Sequence, residues 1–166
     1  MPYVEPLQTD DAPEKSKPIL EAIQEKFGQS LNIFLTMAYQ PDVLGGVTQV
    51  NDGIRNDLPD KLRELAYLKS SQVNGCDYCS HYHQQAAKKA GATREQLAAL
   101  DDYSSSDAFD DQEKAVLAYA DQLTRTAAVE PAVVEQLKKT LNATQLVTLA
   151  ATVALANFTN RFNHGL

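Results

Sequence analysis

Tryptophan is missing from this 166-residue chain, methionine and cysteine occur only twice each, and glycine and proline seven times each. Two cysteines are too few to staple a small secreted scaffold, so the fold must rest on a packed core. With 43% apolar residues the chain can build one, and its length is that of one domain, taken here as residues 1–166. Positive charge is scarce as well: 15 Lys and Arg stand against 22 Asp and Glu, a net charge of −7. The nearest approach to a basic patch is Lys88-Lys89 with Arg94, and Glu95 follows at once. Nucleic-acid phosphates would meet a repulsive surface, which argues against a nucleic-acid partner.

Long apolar runs are lacking too. Between Lys139 and Arg161 there is no charge, but Asn142, Thr144, Gln145, Thr148, Thr152, Asn157, Thr159 and Asn160 interrupt the stretch. A spanning helix wants ~20 predominantly apolar residues, so no membrane span is expected. The segment reads instead as a core helix or one packed against another subunit. The opening Met1-Pro2-Tyr3-Val4-Glu5-Pro6 has neither the basic start nor the apolar stretch of a signal peptide. The expected location is therefore cytoplasmic, where thiols stay reduced and a C-x-x-C pair signals redox or metal chemistry before a structural staple.

Period-two alternation never lasts more than a few positions, whereas apolar residues recur at three and four, so an all-α fold is expected. A first helix is expected from Pro13 through Ile19, Leu20, Ile23 and Phe27, stopping at Gly28. A shorter segment covers 33–38, and Pro41 opens a third helix with Val43, Leu44, Val47, Val50 and Ile54 on its buried side. Leu58-Pro59-Asp60 starts a fourth helix, carrying Leu62, Leu65, Ala66, Leu68 and Lys69, and Asn74-Gly75 breaks it. The cysteine-bearing helix follows, from about Cys76 to Ala90 before Gly91, and Thr93-x-x-Gln96 is a capping box for a short one. Residues 101–111 read as a solvated connector, ahead of helices over 111–126, 131–140 and 142–162.

Both cysteines and two of the three histidines fall within eight residues, Cys76-Asp77-Tyr78-Cys79-Ser80-His81-Tyr82-His83. At ~100° per residue, with Cys76 at zero, Cys79 falls near about 300° and His83 near about 340°, while His81 falls near about 140°. Cys76, Cys79 and His83 share a face; His81 points away and reads as a surface histidine. Cys79 and His83, four apart, are close enough to meet directly or through one water. A cysteine at a helix N-terminus, where free N–H groups carry partial positive charge, is favoured as a thiolate, and an imidazole one turn on can take its proton.

Other readings of the same residues stay open. The two cysteines could be buried small hydrophobes. Zinc could be held by Cys76, Cys79 and His83 with His164 or a carboxylate as fourth ligand, although contiguous helical ligands lack the usual knuckle. A thioredoxin-like motif would need strands, and none is expected. Glu64 on the preceding helix, by itself, reads as a surface carboxylate.

Glu64, eleven residues, and then Cys76-x-x-Cys79-x-x-x-His83 resembles the motif of the alkylhydroperoxidase D branch of the carboxymuconolactone decarboxylase-like family. The similarity extends to residues 58–66, to Asn74-Gly75-Cys76-x-Tyr78-Cys79, to Ala90-Gly91, to Asn32-Ile33-Phe34 and to Asn157-Phe158-x-Asn160-Arg161-Phe162-Asn163. The resemblance implies an all-helical trimer or hexamer that needs no haem, flavin or metal. It implies that Cys79 attacks a hydroperoxide, Cys76 resolves it as a Cys76–Cys79 disulfide, and Glu64 and His83 relay the proton. Where well-known members have a histidine before the attacking cysteine, Tyr78 stands here, a poor base but a usable hydrogen-bond donor. The implied reductant is a dithiol, in the family one that a lipoyl-bearing protein can supply. General thiol–disulfide exchange or redox sensing needs the same thiolate. A decarboxylating lyase on this fold would have no use for paired cysteines.

Overall fold

The computed structural model describes residues 2–166, and it is helical throughout, with no strand among the described residues. A 3-10 turn at Thr9–Asp11 precedes nine helices in this range: α1 Lys17–Phe27, α2 Asn32–Met37, α3 Pro41–Gly53, α4 Asp60–Val73, α5 Asp77–Lys89, α6 Arg94–Ala98, α7 Asp111–Thr126, α8 Pro131–Leu137 and α9 Ala143–Gly165. No helix among them is long and apolar enough to cross a membrane.

Helix α4 is the post around which the others stand. All ten residues from Leu62 to Ser71 are buried, because α5, α7 and α9 each pack against a different side of it. Leu62 and Ala66 meet Val116 and Ala120 of α7 and Leu149 and Val153 of α9. Leu65 and Leu68 meet Ala87 of α5 and Leu117 of α7, and Tyr67 meets Leu155 and Ala156 of α9 with Ile54 beyond α3. A separate cluster joins α1 and α2 through Leu20, Ile23, Phe34 and Met37, and Tyr78 and Phe162 pack against it. Fully burying one such side chain is worth roughly 2 kcal/mol, so most of the stabilisation converges on the helix that carries Glu64.

The expected boundaries hold closely where a cap specifies them. Thr93 and Gln96 form the capping box of α6, Asp110 and Glu113 one for α7, and Asn142 and Gln145 one for α9. Three expectations are corrected. Helix α1 begins at Lys17 rather than Pro13, because Ser16 is buried and donates its hydroxyl to the Ala38 carbonyl at 2.8 Å, holding residues 13–16 in a turn. The connector over 101–111 is not simply solvated: Phe109 is buried among Leu65, Leu100 and Leu117, and the Gln96 amide donates to the Ala108 carbonyl. On α3, Leu44 and Ile54 face inward, but Val43 and Val50 are exposed. Helix α9 likewise buries one side and exposes Val147 and Phe158 on the other.

The junction from α4 to α5 places the cysteines. Gly75, at φ 67°, donates its N–H to the Gln72 carbonyl, and Cys76 donates its N–H to the Ser71 carbonyl. These two bonds form a Schellman motif, with glycine at the left-handed position where a Cβ is disfavoured. Cys76 is thus the last residue of one helix's closure and the N-cap of the next. A Cβ at Gly75 would touch nothing within 4 Å, so Gly75→Ala should cost only the backbone term, about 1 kcal/mol, measurable by urea denaturation.

Candidate active site

Cys76 and Cys79 are joined as a disulfide with Cα atoms 5.3 Å apart. Both are nearly inaccessible, at 2% and 5% exposure, but only Cys79 lines the adjoining cleft. The Cys76 sulfur accepts the Cys79 backbone N–H at 3.3 Å and so caps the helix that carries its partner. The Cys79 sulfur accepts a hydrogen bond from the Asn163 side-chain amide at 3.1 Å. On reduction, that N–H and the first turn of α5 are what would face a Cys79 thiolate, and both favour the anion.

One turn further, His83 Nδ1 lies 2.8 Å from Glu64 Oε2, and its ring stacks on Tyr67 with centroids 3.5 Å apart. The other carboxylate oxygen accepts from Arg63 Nη2 at 3.1 Å and Nε at 3.3 Å, and Arg63 also pairs with Asp60. Glu64 is not the surface carboxylate that a lone Glu suggests; it is 6% exposed. Burial penalises its charge, but the hydrogen bond and charge of His83, together with Arg63, outweigh that and hold its carboxyl below the usual range. An ionised carboxylate can only accept, so Nδ1 carries the hydrogen, and Nε2 is the ring nitrogen left to take up or give a proton. His83 makes no direct hydrogen bond to Cys79, since its ring is turned to Glu64 and Tyr67. It lines the same cleft, where Nε2 can act on a proton through a bound molecule.

The cleft encloses about 380 Å³ between the α1–α2 region and helices α3, α4, α5 and α9. Glu64, Tyr78, Cys79, His83 and Asn163 all line it. Burial pushes the Tyr78 phenol up to about 12, so at neutral pH it is a donor and not a base. Its hydroxyl is buried without a hydrogen-bond partner. His81 is exposed on the far side of α5 and bonds to Gln85, as its helical position predicts. Among the described residues no group of three or more His, Cys, Asp or Glu is disposed to hold a metal. The set considered for zinc is dispersed: the two sulfurs are bonded to each other, His83 faces Glu64, and His164 is exposed.

Sequence reasoning missed Asn163, Tyr67 and Arg63 as parts of the site. A signal existed for the first: Asn157, Asn160 and Asn163 recur every three residues along a helix that packs on α4. The structure shows why they are there. Asn74 at the α4–α5 turn donates to Asn157 at 3.2 Å and to Asn160 at 2.9 Å, and Asn160 donates to Ser71 at 3.2 Å. This ladder fixes the turn before Cys76 against α9, and Asn163 extends it to the sulfur of Cys79.

Two measurements follow. Removing an unpartnered buried hydroxyl is neutral or stabilising, so Tyr78→Phe should keep or slightly raise the denaturation midpoint. Glu64→Gln should destabilise by about 3 kcal/mol at pH 7, since it breaks a buried pair. Because the folded-state pKa of Glu64 is depressed, its contribution is present above the unfolded value of about 4.3 and is lost as pH falls through the folded one. Urea titrations should therefore show the wild-type advantage shrinking as pH drops below about 4.

Comparison with known proteins gives one answer. The sequence profile of the carboxymuconolactone decarboxylase family matches residues 41–122. YdfG of Bacillus subtilis (strain 168), uncharacterised, is 34% identical over 62 residues, 37% of this chain and 42% of that protein. YnjA of Escherichia coli (strain K12), also uncharacterised, is 26% identical over 113 residues, 68% of this chain and 62% of that protein. The matches thus span roughly half the length of these curated relatives. Among solved structures, the debrominase Bmp8 in complex with 2,3,4-tribromopyrrole superposes with TM-score 0.85 at 25% identity, covering 99% of this chain and 89% of that one. A peroxidase-related protein from Ralstonia eutropha JMP134, described as an alkylhydroperoxidase AhpD core, shares the fold with TM-score 0.81 at 23% identity, over 98% and 88% of the two chains. Profile and fold agree: residues 41–122 match the carboxymuconolactone decarboxylase family, and the whole chain has the fold of the solved alkylhydroperoxidase-like structures.

Proposed function

We propose that this chain is a thiol-dependent hydroperoxide reductase, its 166 residues acting as one domain. The observation that carries the reading is the position of Cys79, whose sulfur borders an enclosed cleft, accepts an amide N–H, and stands one turn before a histidine locked by a buried carboxylate. In the reduced protein His83 Nε2 takes the Cys79 thiol proton through a bound water, and the thiolate attacks the terminal peroxide oxygen. The O–O bond breaks, the departing alkoxide takes that proton back from His83, and Cys79 is left as a sulfenic acid. Cys76 then displaces water from that sulfur, forming the Cys76–Cys79 disulfide. Two electrons have passed from the thiols to the peroxide, and a dithiol must return them. Tyr78, protonated and without an internal partner, donates to the peroxide or to an ordered water.

The enclosure of both sulfurs favours small molecules over general protein–disulfide exchange, and it favours a dithiol carried on a narrow arm, such as a lipoyl group, as reductant. A lyase would leave the paired cysteines without a task. The exposed Val43, Val50, Val147 and Phe158 on α3 and α9 support a homo-oligomer, in which these side chains leave water. A second reading is favoured by the likeness to the debrominase over nearly the whole chain: the same thiolate can attack a carbon-bound bromine, release a carbanion that His83 protonates, and expel bromide on disulfide formation.

Cys76→Ser should halt the cycle after attack, leaving one sulfenic acid on Cys79, detected as a single dimedone adduct by mass spectrometry. Cys79→Ser should abolish the reaction, and His83→Ala should slow it by roughly 100-fold, the usual weight of a positioned acid–base group. Thiol loss with an alkyl hydroperoxide no faster than that of free cysteine would overturn the proposal.

A further inference from the structure

The cleft contains a cation that nothing in the mechanism uses. Arg55, just beyond α3, lines it, and the buried Nε of its guanidinium has no hydrogen-bond partner. It lies beside an aromatic ring: Cζ is 5.7 Å from the centroid of Phe27. The two buried cations, Arg63 and Lys69, are both satisfied. Arg63 pairs with Asp60 and Glu64, and Lys69 lies near Asp101 and Asp121 and donates to the Leu100 carbonyl. Of the remaining cleft cations, Lys26 is paired with Asp52, whereas Lys89 at the rim has no carboxylate partner among the described residues. The one carboxylate in the cleft wall, Glu64, is already committed to Arg63 and His83. A protein of net charge −7 thus keeps a locally positive cavity beside its redox cysteine.

A permanently charged guanidinium with a desolvated, unpaired N–H is costly unless something in the cleft accepts from it. Phe27, Leu31, Ile33, Phe34 and Leu155 supply the rest of the wall, so the complementary molecule is apolar with one anionic end. We infer that Arg55 is a specificity residue whose guanidinium holds the carboxylate of a substrate with an apolar body, so that the enzyme's hydroperoxides are those of organic acids. The planar fork of arginine matches a carboxylate through two parallel hydrogen bonds, a geometry a neutral hydroperoxide cannot use. The inference deepens the proposed peroxide chemistry and rests on it for the reacting group, but the binding claim stands apart from turnover.

The test therefore begins with binding. Calorimetry on the oxidised, disulfide-containing protein would compare 4-isopropylbenzoate with its uncharged isostere 4-isopropylbenzamide. The expected result is at least a tenfold preference for the carboxylate, weakened by added salt. That preference should fall to about twofold or less in Arg55→Gln and be partly kept in Arg55→Lys. Equal affinities in the wild type, no binding of either compound, or a full preference surviving in Arg55→Gln would each overturn the inference. The kinetic arm then compares 4-carboxycumene hydroperoxide with cumene hydroperoxide: the carboxylate should lower KM in the wild type, with the gain lost in Arg55→Gln. If neither peroxide oxidises Cys79 while the carboxylate preference is seen, the peroxidase reading fails and the anion site remains.

Discussion

The bonds of Glu64 to Arg63 and His83 govern this structure. Helix α4 is enclosed by three others, so any charge on it must be matched within the protein or the helix could not be buried. Arg63 and Glu64 meet that demand within α4, and His83 extends the match to α5. The same hydrogen bond therefore does two things: it satisfies a buried carboxylate, and it fixes the rotation of the cysteine helix about its axis. With His83 turned to Glu64 and stacked on Tyr67, the Cys79 side of α5 is directed to the cleft and His81 to solvent.

A second constraint runs along α9. A long helix without a charged residue before Arg161 is easily taken as a greasy support, yet its asparagines are what tie the turn before Cys76 in place. Asn157 and Asn160 receive the Asn74 amide, and Asn163 reaches the sulfur of Cys79. Amides suit this position: they give a directed N–H to sulfur without the desolvation penalty of a buried cation. The cysteine pair thus sits between a helix start below and an amide donor above, while Gly75 and the Schellman closure set where the helix starts.

Much of the fold is legible in the sequence because its signals are local. Thr93 with Gln96, Pro41 at a first turn, and the Asn74-Gly75 break each act within a few residues, and the helices end where they indicate. The shared face of Cys76, Cys79 and His83 is equally local, being a matter of helical angle. What the sequence hides is pairing across long separations. Glu64 reads alone as a surface residue and is buried because α4 is enclosed by its neighbours and His83 of α5 meets it. Asn163 meets Cys79 across 84 positions, and Tyr67 meets Thr159 across 92. Val43 and Val50 show the converse: apolar side chains at helical spacing imply burial, but not burial within the same chain.

The central claim is that this packing makes Cys79, and not Cys76, the activated nucleophile. The direct measurement is the pH dependence of iodoacetamide alkylation on the fully reduced protein, with each cysteine followed separately by mass spectrometry. The account predicts that Cys79 reacts first and stays reactive well below pH ~8.5, where an ordinary thiol loses its thiolate, while Cys76 lags. Alkylation of both cysteines at similar rates, rising only near pH ~8.5, would contradict it.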